Sequence, residues 1–418
     1  MMTRLILASP GAYALRSERM QQINPHRTLA EKFMFKHVWE DTFVPDSLLE
    51  FVKFVYSEEE AEIVAAMSST PMPARAIARR LKRSAQEVAP ILETLAATHR
   101  IGSFKVKGVE LYFFMILAPG VFEATMAQGR DDAYSREFAR LFDQVYQEVF
   151  TWLAPRMQGK ELKLSRIVSI QRSIDATPGL GVLALPTDRF SEIADRNRSF
   201  ALLTCSCRHH QDLVGNACGK PKEVCTAVGG LADLCVNKGL ARRISKEGFL
   251  EAKRQAAEAG LVNLVDNVAD PMQVCSCCGC CCGVLRLWNQ FNVPGTIAQS
   301  HFRAVVDADK CKGCRKCVTA CPMHAVTVKN KKASVAAERC IGCGVCVLQC
   351  KKNRAMTLQE RPVYVPPSGT IGEFILNRYF EYKGYRSPYL PKVSLGVGRL
   401  ISKVVPIHLT GPQHKGKG

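Results

Sequence analysis

Between residues 311 and 350 one spacing of cysteines occurs twice. The first run is Cys311-x2-Cys314-x2-Cys317-x3-Cys321, followed by Pro322, and the second is Cys340-x2-Cys343-x2-Cys346-x3-Cys350, followed by Lys351. Few backbone paths satisfy it. Thiols two residues apart converge only if the chain wraps a tight loop around a common centre. Gly313, Gly342 and Gly344 remove side chains where such a loop is most crowded. Soft thiolates at a shared centre suit iron or zinc rather than a hard cation. A disulfide framework is the other use of many cysteines. It belongs to small secreted domains, and this chain has 418 residues and 19 cysteines, an odd number.

The doubled run resembles the bacterial two-cluster ferredoxins. That resemblance covers about fifty residues and implies two [4Fe–4S] clusters, with the fourth cysteine of each run crossing to the other cluster. Cluster one is then expected on Cys311, Cys314, Cys317 and Cys350, and cluster two on Cys340, Cys343, Cys346 and Cys321. Zinc is the weaker alternative, because zinc sites come as paired CxxC units. Lys351 stands where the first run has Pro322, a departure that leaves the thiols intact but alters the turn after them.

Upstream, Cys205-x-Cys207-Arg208 is followed by Cys218 and Cys225, with Gly215, Gly219 and Pro221 between. Four thiols beyond a predicted strand can close one site. We expect a third [4Fe–4S] cluster on Cys205, Cys207, Cys218 and Cys225, with zinc second and Arg208 offsetting the thiolate charge. His209 and His210 point in different directions as neighbours and are read as hydrogen-bonding residues rather than ligands. Cys235 stands alone and is read as a small buried apolar residue.

The densest stretch is CSCCGCCCG, which contains Cys275, Cys277, Cys278, Cys280, Cys281 and Cys282. These six are expected to serve a further cluster, or one shared with the third. Were the stretch extended, Cys275, Cys277 and Cys281 would face one side and Cys278, Cys280 and Cys282 the other. Gly279 and Gly283 make turns there, so parity is only a guide.

The fold class expected is α+β and multidomain. After an N-terminal arm (1–50), a winged-helix-like domain (51–118) is predicted from two capping boxes, Ser57 with Glu60 and Ser84 with Glu87, and from a hairpin around Lys107-Gly108. A long amphipathic helix (119–160) follows, with an apolar face from Tyr134 to Leu153 and an end expected at Pro155. We expect it to join two modules or two subunits. A cysteine-rich mixed α/β domain (161–300), the ferredoxin domain (301–359) and a basic tail (360–418) complete the chain. The combination resembles larger iron–sulfur proteins of anaerobic bacteria and archaea over about residues 57–350. That likeness implies electron transfer and metal at the central cysteines, and names no reaction.

The formal charge is +19. Each thiolate-held cubane subtracts about 2, so four would bring it to about +11. From residue 351 onward twelve Lys and Arg face three Asp and Glu, interleaved with aromatics such as Phe374, Tyr379 and Tyr385. Peripheral membrane contact or partner docking both suit such a tail. The start has only a short apolar patch (5–8), and no apolar run reaches a membrane span, so a cytoplasmic location is expected.

The function expected is electron transfer to a partner oxidoreductase, as a component rather than a self-contained enzyme. A redox-sensing transcriptional regulator is the alternative. Its predicted recognition helix carries Glu87 and Glu93 and no Lys or Arg, so a nucleic-acid partner is allowed but not favoured. A catalytic iron–sulfur subunit is the second alternative. No dinucleotide, phosphate-loop or nucleophile-elbow motif supports it, and no catalytic residue is singled out. A homo-oligomer is also allowed.

Overall fold

The computed structural model describes residues 24–34 and 43–369. The aromatic part of the basic tail lies outside the described residues. The described chain falls into two compact units, divided between residues 117 and 118. It is a mixed α and β protein.

The first unit opens with helices Pro25–Phe33 and Asp46–Val55, which begin in the N-terminal arm, where the sequence reading assigns no element. Helices Glu58–Ala66 and Ala85–Ala97 begin at Ser57 and Ser84, and both capping boxes are formed. Between them lie β1 (Met72–Pro73) and helix Ala74–Leu81. Strands β2 (Gly102–Val106) and β3 (Val109–Phe113) make the hairpin, with Lys107 and Gly108 both at positive φ. The small sheet runs β1-β3-β2. Val88, Leu92 and Leu95 face the core from a helix that continues through Pro90.

Lys32 ties this unit together. Its ammonium donates to the carbonyls of Val64, Ala65 and Met67, at 3.1, 2.9 and 2.6 Å, and so caps the end of helix Glu58–Ala66. Burial, aided by the charge of Arg80, pulls the Lys32 amine down to about 8. The folded value lies below the unfolded one, so the folded form binds fewer protons between them. This group therefore adds stability as pH rises from about 8 towards 10.5. Lys32→Met is expected to cost about 1–3 kcal/mol, because three carbonyls lose their donor; urea unfolding of the full chain measures this.

In the second unit helix Ala133–Met157 lays Phe138, Leu141, Phe142, Val145 and Tyr146 against helices Phe122–Met126, Ser206–Leu213 and Gly283–Phe291 of the same unit. These contacts lie within the second unit. The helix continues past Pro155 to Met157, since a proline in the last turn withdraws a single N–H. Seven strands form the central sheet: β4 (Ser165–Val168), β5 (Phe200–Thr204), β6 (Glu223–Val228), β7 (Arg242–Ile244), β8 (Val262–Asp266), β9 (Gln273–Cys277) and β10 (Ile297–Ala298). Their order is β10-β4-β8-β9-β6-β5-β7, antiparallel except for the β10–β4 pair.

The doubled cysteine runs sit between β11 (Phe302–Val306), the β12 (Val326–Lys329) and β13 (Lys332–Val335) hairpin, and β14 (Met356–Glu360). This segment is sewn to the end of β4. Ser169 Oγ donates to Gly342 O at 2.6 Å, Ser173 Oγ to Gly344 O at 2.8 Å, and Ile170 N to Cys343 O at 3.0 Å.

Candidate metal centres

The x2 spacing does what loop geometry requires. Each run turns through glycine at positive φ and then enters one short helix, Lys316–Ala320 or Val345–Gln349. The helices carry Cys317 and Cys346 and deliver Cys321 and Cys350 across to the opposite run. Two cavities result. One, of about 340 Å³, is lined by Cys321, Cys340, Cys343 and Cys346. The other, of about 350 Å³, is lined by Cys311, Cys314, Cys317 and Cys350. Each cavity is thus walled by three thiols of one run and the last thiol of the other, and the two spaces are nearly equal.

Backbone amides point at these sulfurs. Ala325 N donates to Cys321 Sγ at 3.2 Å, Ala333 N to Cys311 Sγ at 3.3 Å and Ala304 N to Cys340 Sγ at 3.4 Å. Such bonds favour thiolates and tune a bound cluster. Burial pushes the Cys343 and Cys346 thiols up, so their deprotonation calls for a cation. Four cysteines lining each cavity and N–H groups donated to their sulfurs fit a [4Fe–4S] group in each.

The ten central cysteines with expected ligand roles separate into two groups, and the division differs from the expected one. Strands β5 and β9 run in the same direction on either side of antiparallel β6. Their carboxyl ends and the start of β6 therefore meet at one end of the sheet. Cys205 and Cys207 follow β5, Cys225 lies in β6, and Cys275 and Cys277 end β9. Cys282 joins them at the start of helix Gly283–Phe291. Electrostatic interactions link these six in a chain: Cys205 with Cys225, Cys225 with Cys275, Cys275 with Cys277, Cys277 with Cys282 and Cys282 with Cys207. Hydrogen bonds from Cys205 and Cys275 hold Cys225 well below the usual thiol range, and bonds from Cys207 and Cys277 do the same for Cys282.

Cys218 is elsewhere. Its sulfur groups with those of Cys278, Cys280 and Cys281, all four lying within 4.8 Å of one another. The expected grouping of Cys218 with Cys205, Cys207 and Cys225 is therefore not the one the fold makes. The loop carrying Cys218 is drawn away from the sheet end by Lys220, whose ammonium donates to Ala259 O at 2.8 Å and Gly260 O at 3.2 Å.

Arg208 lies inside the six-thiol group and is 1% exposed. Its Nη1 donates to Ser276 O at 2.7 Å, while Nε and Nη2 have no protein partner. Burial opposes its charge, but negative charge on Cys205, Cys225, Cys278 and Cys277 outweighs that and raises it. Two buried, unpaired donors beside six sulfurs fit an anionic iron–sulfur group.

Two residues, the buried Lys253 and the partly buried Glu123, escaped the sequence reading. Lys253 donates to Val274 O at 2.7 Å, Ser276 Oγ at 2.9 Å and Val224 O at 3.0 Å beneath the same thiols. Burial pulls its amine down to about 8, against the opposing pull of Cys225, Cys275 and Cys277. A lysine four residues after Phe249 on the apolar face of helix Lys246–Glu258 was the available signal. Burial pushes the carboxyl of Glu123 up to about 7, against a hydrogen bond from the Gly120 amide. No local pattern marks Glu123. His209 and His210 bond the carbonyls of Arg130 (2.8 Å) and Ala139 (3.0 Å). Cys235 is buried in helix Gly229–Asn237.

The family model of the 4Fe–4S dicluster domain matches residues 303–351. No curated protein and no solved structure matches the chain significantly. No helix among the described residues is long and apolar enough to cross a membrane.

Proposed function

We propose that this chain is an iron–sulfur electron-transfer component serving a partner oxidoreductase. The observation that carries this is the pair of four-cysteine cavities inside the segment matched by the dicluster domain. A [4Fe–4S] group in each supplies one-electron chemistry with little change of geometry. The chain's own part is to hold, insulate and orient. Cys340, Cys343 and Cys346 are buried and keep water from their cavity, while Cys314 is exposed and turns the other cavity outward. Exposed Lys310, Lys312, Arg315 and Lys316 surround Cys314 and favour an acidic redox partner.

The buried cavity leads inward. Cys343 shares one apolar core with Cys277 and Cys282, together with Met323, Ile341 and Val345. This continuity supports reading the six-thiol group as a third iron–sulfur centre, with Arg208 and Lys253 as its counter-charges. In the first unit, the order helix, strand, helix, helix and hairpin supports a winged-helix reading. The exposed face of helix Ala85–Ala97 shows Gln86, Glu87, Glu93 and Thr94, a surface suited to protein docking rather than to phosphates.

Iron and acid-labile sulfide, measured on anaerobically purified full-length protein, test this reading. The ferredoxin segment accounts for about 8 irons and the six-thiol group for at least 4 more. Cys343→Ser is expected to remove about 4 irons and to simplify the electron paramagnetic resonance spectrum of the reduced protein. Fewer than about 8 irons in the unmodified chain, or no loss in the variant, refutes it.

A further inference from the structure

The four thiols of Cys218, Cys278, Cys280 and Cys281 are drawn closer than a cluster permits. All four sulfurs lie within 4.8 Å of one another, and those of Cys280 and Cys281 are 3.7 Å apart. Four thiolates around one tetrahedral ion, each at about 2.3 Å, stand about 3.8 Å from one another. A four-iron cubane places an iron beneath each thiolate and holds the sulfurs roughly 6 Å apart. By contrast, neither ferredoxin set of four thiols is drawn so close. Among the described residues no other group of three or more ligand side chains is drawn so close.

Local chain path alone does not explain the convergence. Cys218 belongs to the loop before β6, whereas the other three lie in the turn between β9 and helix Gly283–Phe291. That turn is fixed from within and from outside. Cys282 N bonds Cys278 O at 3.2 Å, and Asn289 Nδ2 donates to Gly279 O at 3.3 Å and Pro322 O at 2.8 Å. A Cβ on Gly279 would stand 2.0 Å from Pro322 O, so the turn sits hard against the ferredoxin segment. Val224, Ala256 and Leu261 pack beside Cys278 and Cys281, while Cys280 is exposed and offers the way in.

We propose that Cys218, Cys278, Cys280 and Cys281 hold one zinc ion in a closed, all-thiolate site. The site fastens the Cys218 loop to the turn. Its role is structural: it leaves no open coordination position and adds no redox step. This sets aside the expectation that the whole central region holds cubanes with zinc second. It is independent of the electron-transfer reading, which rests on other thiols.

Full-length protein, purified anaerobically from cells supplied with both metals, tests it. The expected content is about one zinc per chain. Zinc-edge X-ray absorption should show sulfur ligands alone at about 2.3 Å. Cys280→Ser changes an exposed side chain and is expected to release the zinc with the iron content unchanged. Cys235→Ser, outside every thiol group, should keep both. Absence of zinc from the unmodified chain overturns the proposal. So does a single iron in its place, oxygen or nitrogen in the zinc shell, or a Cys280→Ser variant that loses about four irons.

Discussion

Gly342→Ala is expected to abolish the buried ferredoxin cavity. Gly342 has φ +74°, and a Cβ built there would stand 2.0 Å from Phe302 O and 3.0 Å from Ser300 Cβ. Neither neighbour can give way. Phe302 is fully buried and begins β11, paired to Glu360 of β14. Gly342 O is held by Ser169, and Ile341 O accepts from Ser300 N at 3.1 Å. Left-handed backbone alone costs a side chain about 1–2 kcal/mol, and the backbone clash raises the total to about 3 kcal/mol or more. The variant should lose about four irons on anaerobic purification and unfold at a lower temperature. Gly215→Ala is the control. Gly215 has φ +82° but nothing within 4 Å of the added carbon, so only the backbone cost, about 1–2 kcal/mol, is expected. Equal effects of the two substitutions would show that the close approach to Phe302 is unimportant.

If the proposed third centre sits on the six-thiol group, Arg208→Gln is expected to remove its iron while the ferredoxin irons stay. The guanidinium is buried, uses one nitrogen on Ser276 O, and has two further nitrogens unpaired beside the sulfurs. Without it, Lys253 is left as the buried cation among them, and uncompensated buried charge costs about 3–5 kcal/mol. Total iron should fall to about 8 per chain. Arg208→Lys keeps the charge but loses the planar fork, so it should retain part of that iron. Unchanged iron in Arg208→Gln would remove Arg208 from the account.

Much of the secondary structure was legible because its causes are local. The two capping boxes, the Lys107-Gly108 hairpin and the apolar face around Phe138 and Phe142 each lie within a few residues. The two ferredoxin runs are legible for the same reason: a spacing of two residues leaves the backbone almost no alternative. The helices Pro25–Phe33 and Asp46–Val55 were missed, although Asn24 caps the first and Leu48, Phe51, Val52 and Val55 recur at helical spacing in the second.

The central cysteines show where local reasoning stops. Parity separated Cys275 and Cys277 from Cys278, and β9 keeps that alternation. It then placed Cys281 with the first pair and Cys282 with Cys278 and Cys280. The fold exchanges those two, because the chain turns at Gly279 and begins a helix at Gly283, so the period of two no longer applies. Cys218 was grouped with Cys205, Cys207 and Cys225 by nearness in sequence. Lys220, anchored at the end of helix Lys246–Glu258, carries it to the other group.

By itself the sequence determined that this chain gathers thiols, and in the doubled run how they are spaced, because both follow from residue type and short loops. Which central thiols meet was decided only by tertiary structure. Their neighbours depend on β6 lying between β5 and β9, and on a turn pressed against Pro322. Strand order and such a close approach are set by packing between distant segments, which no short spacing encodes.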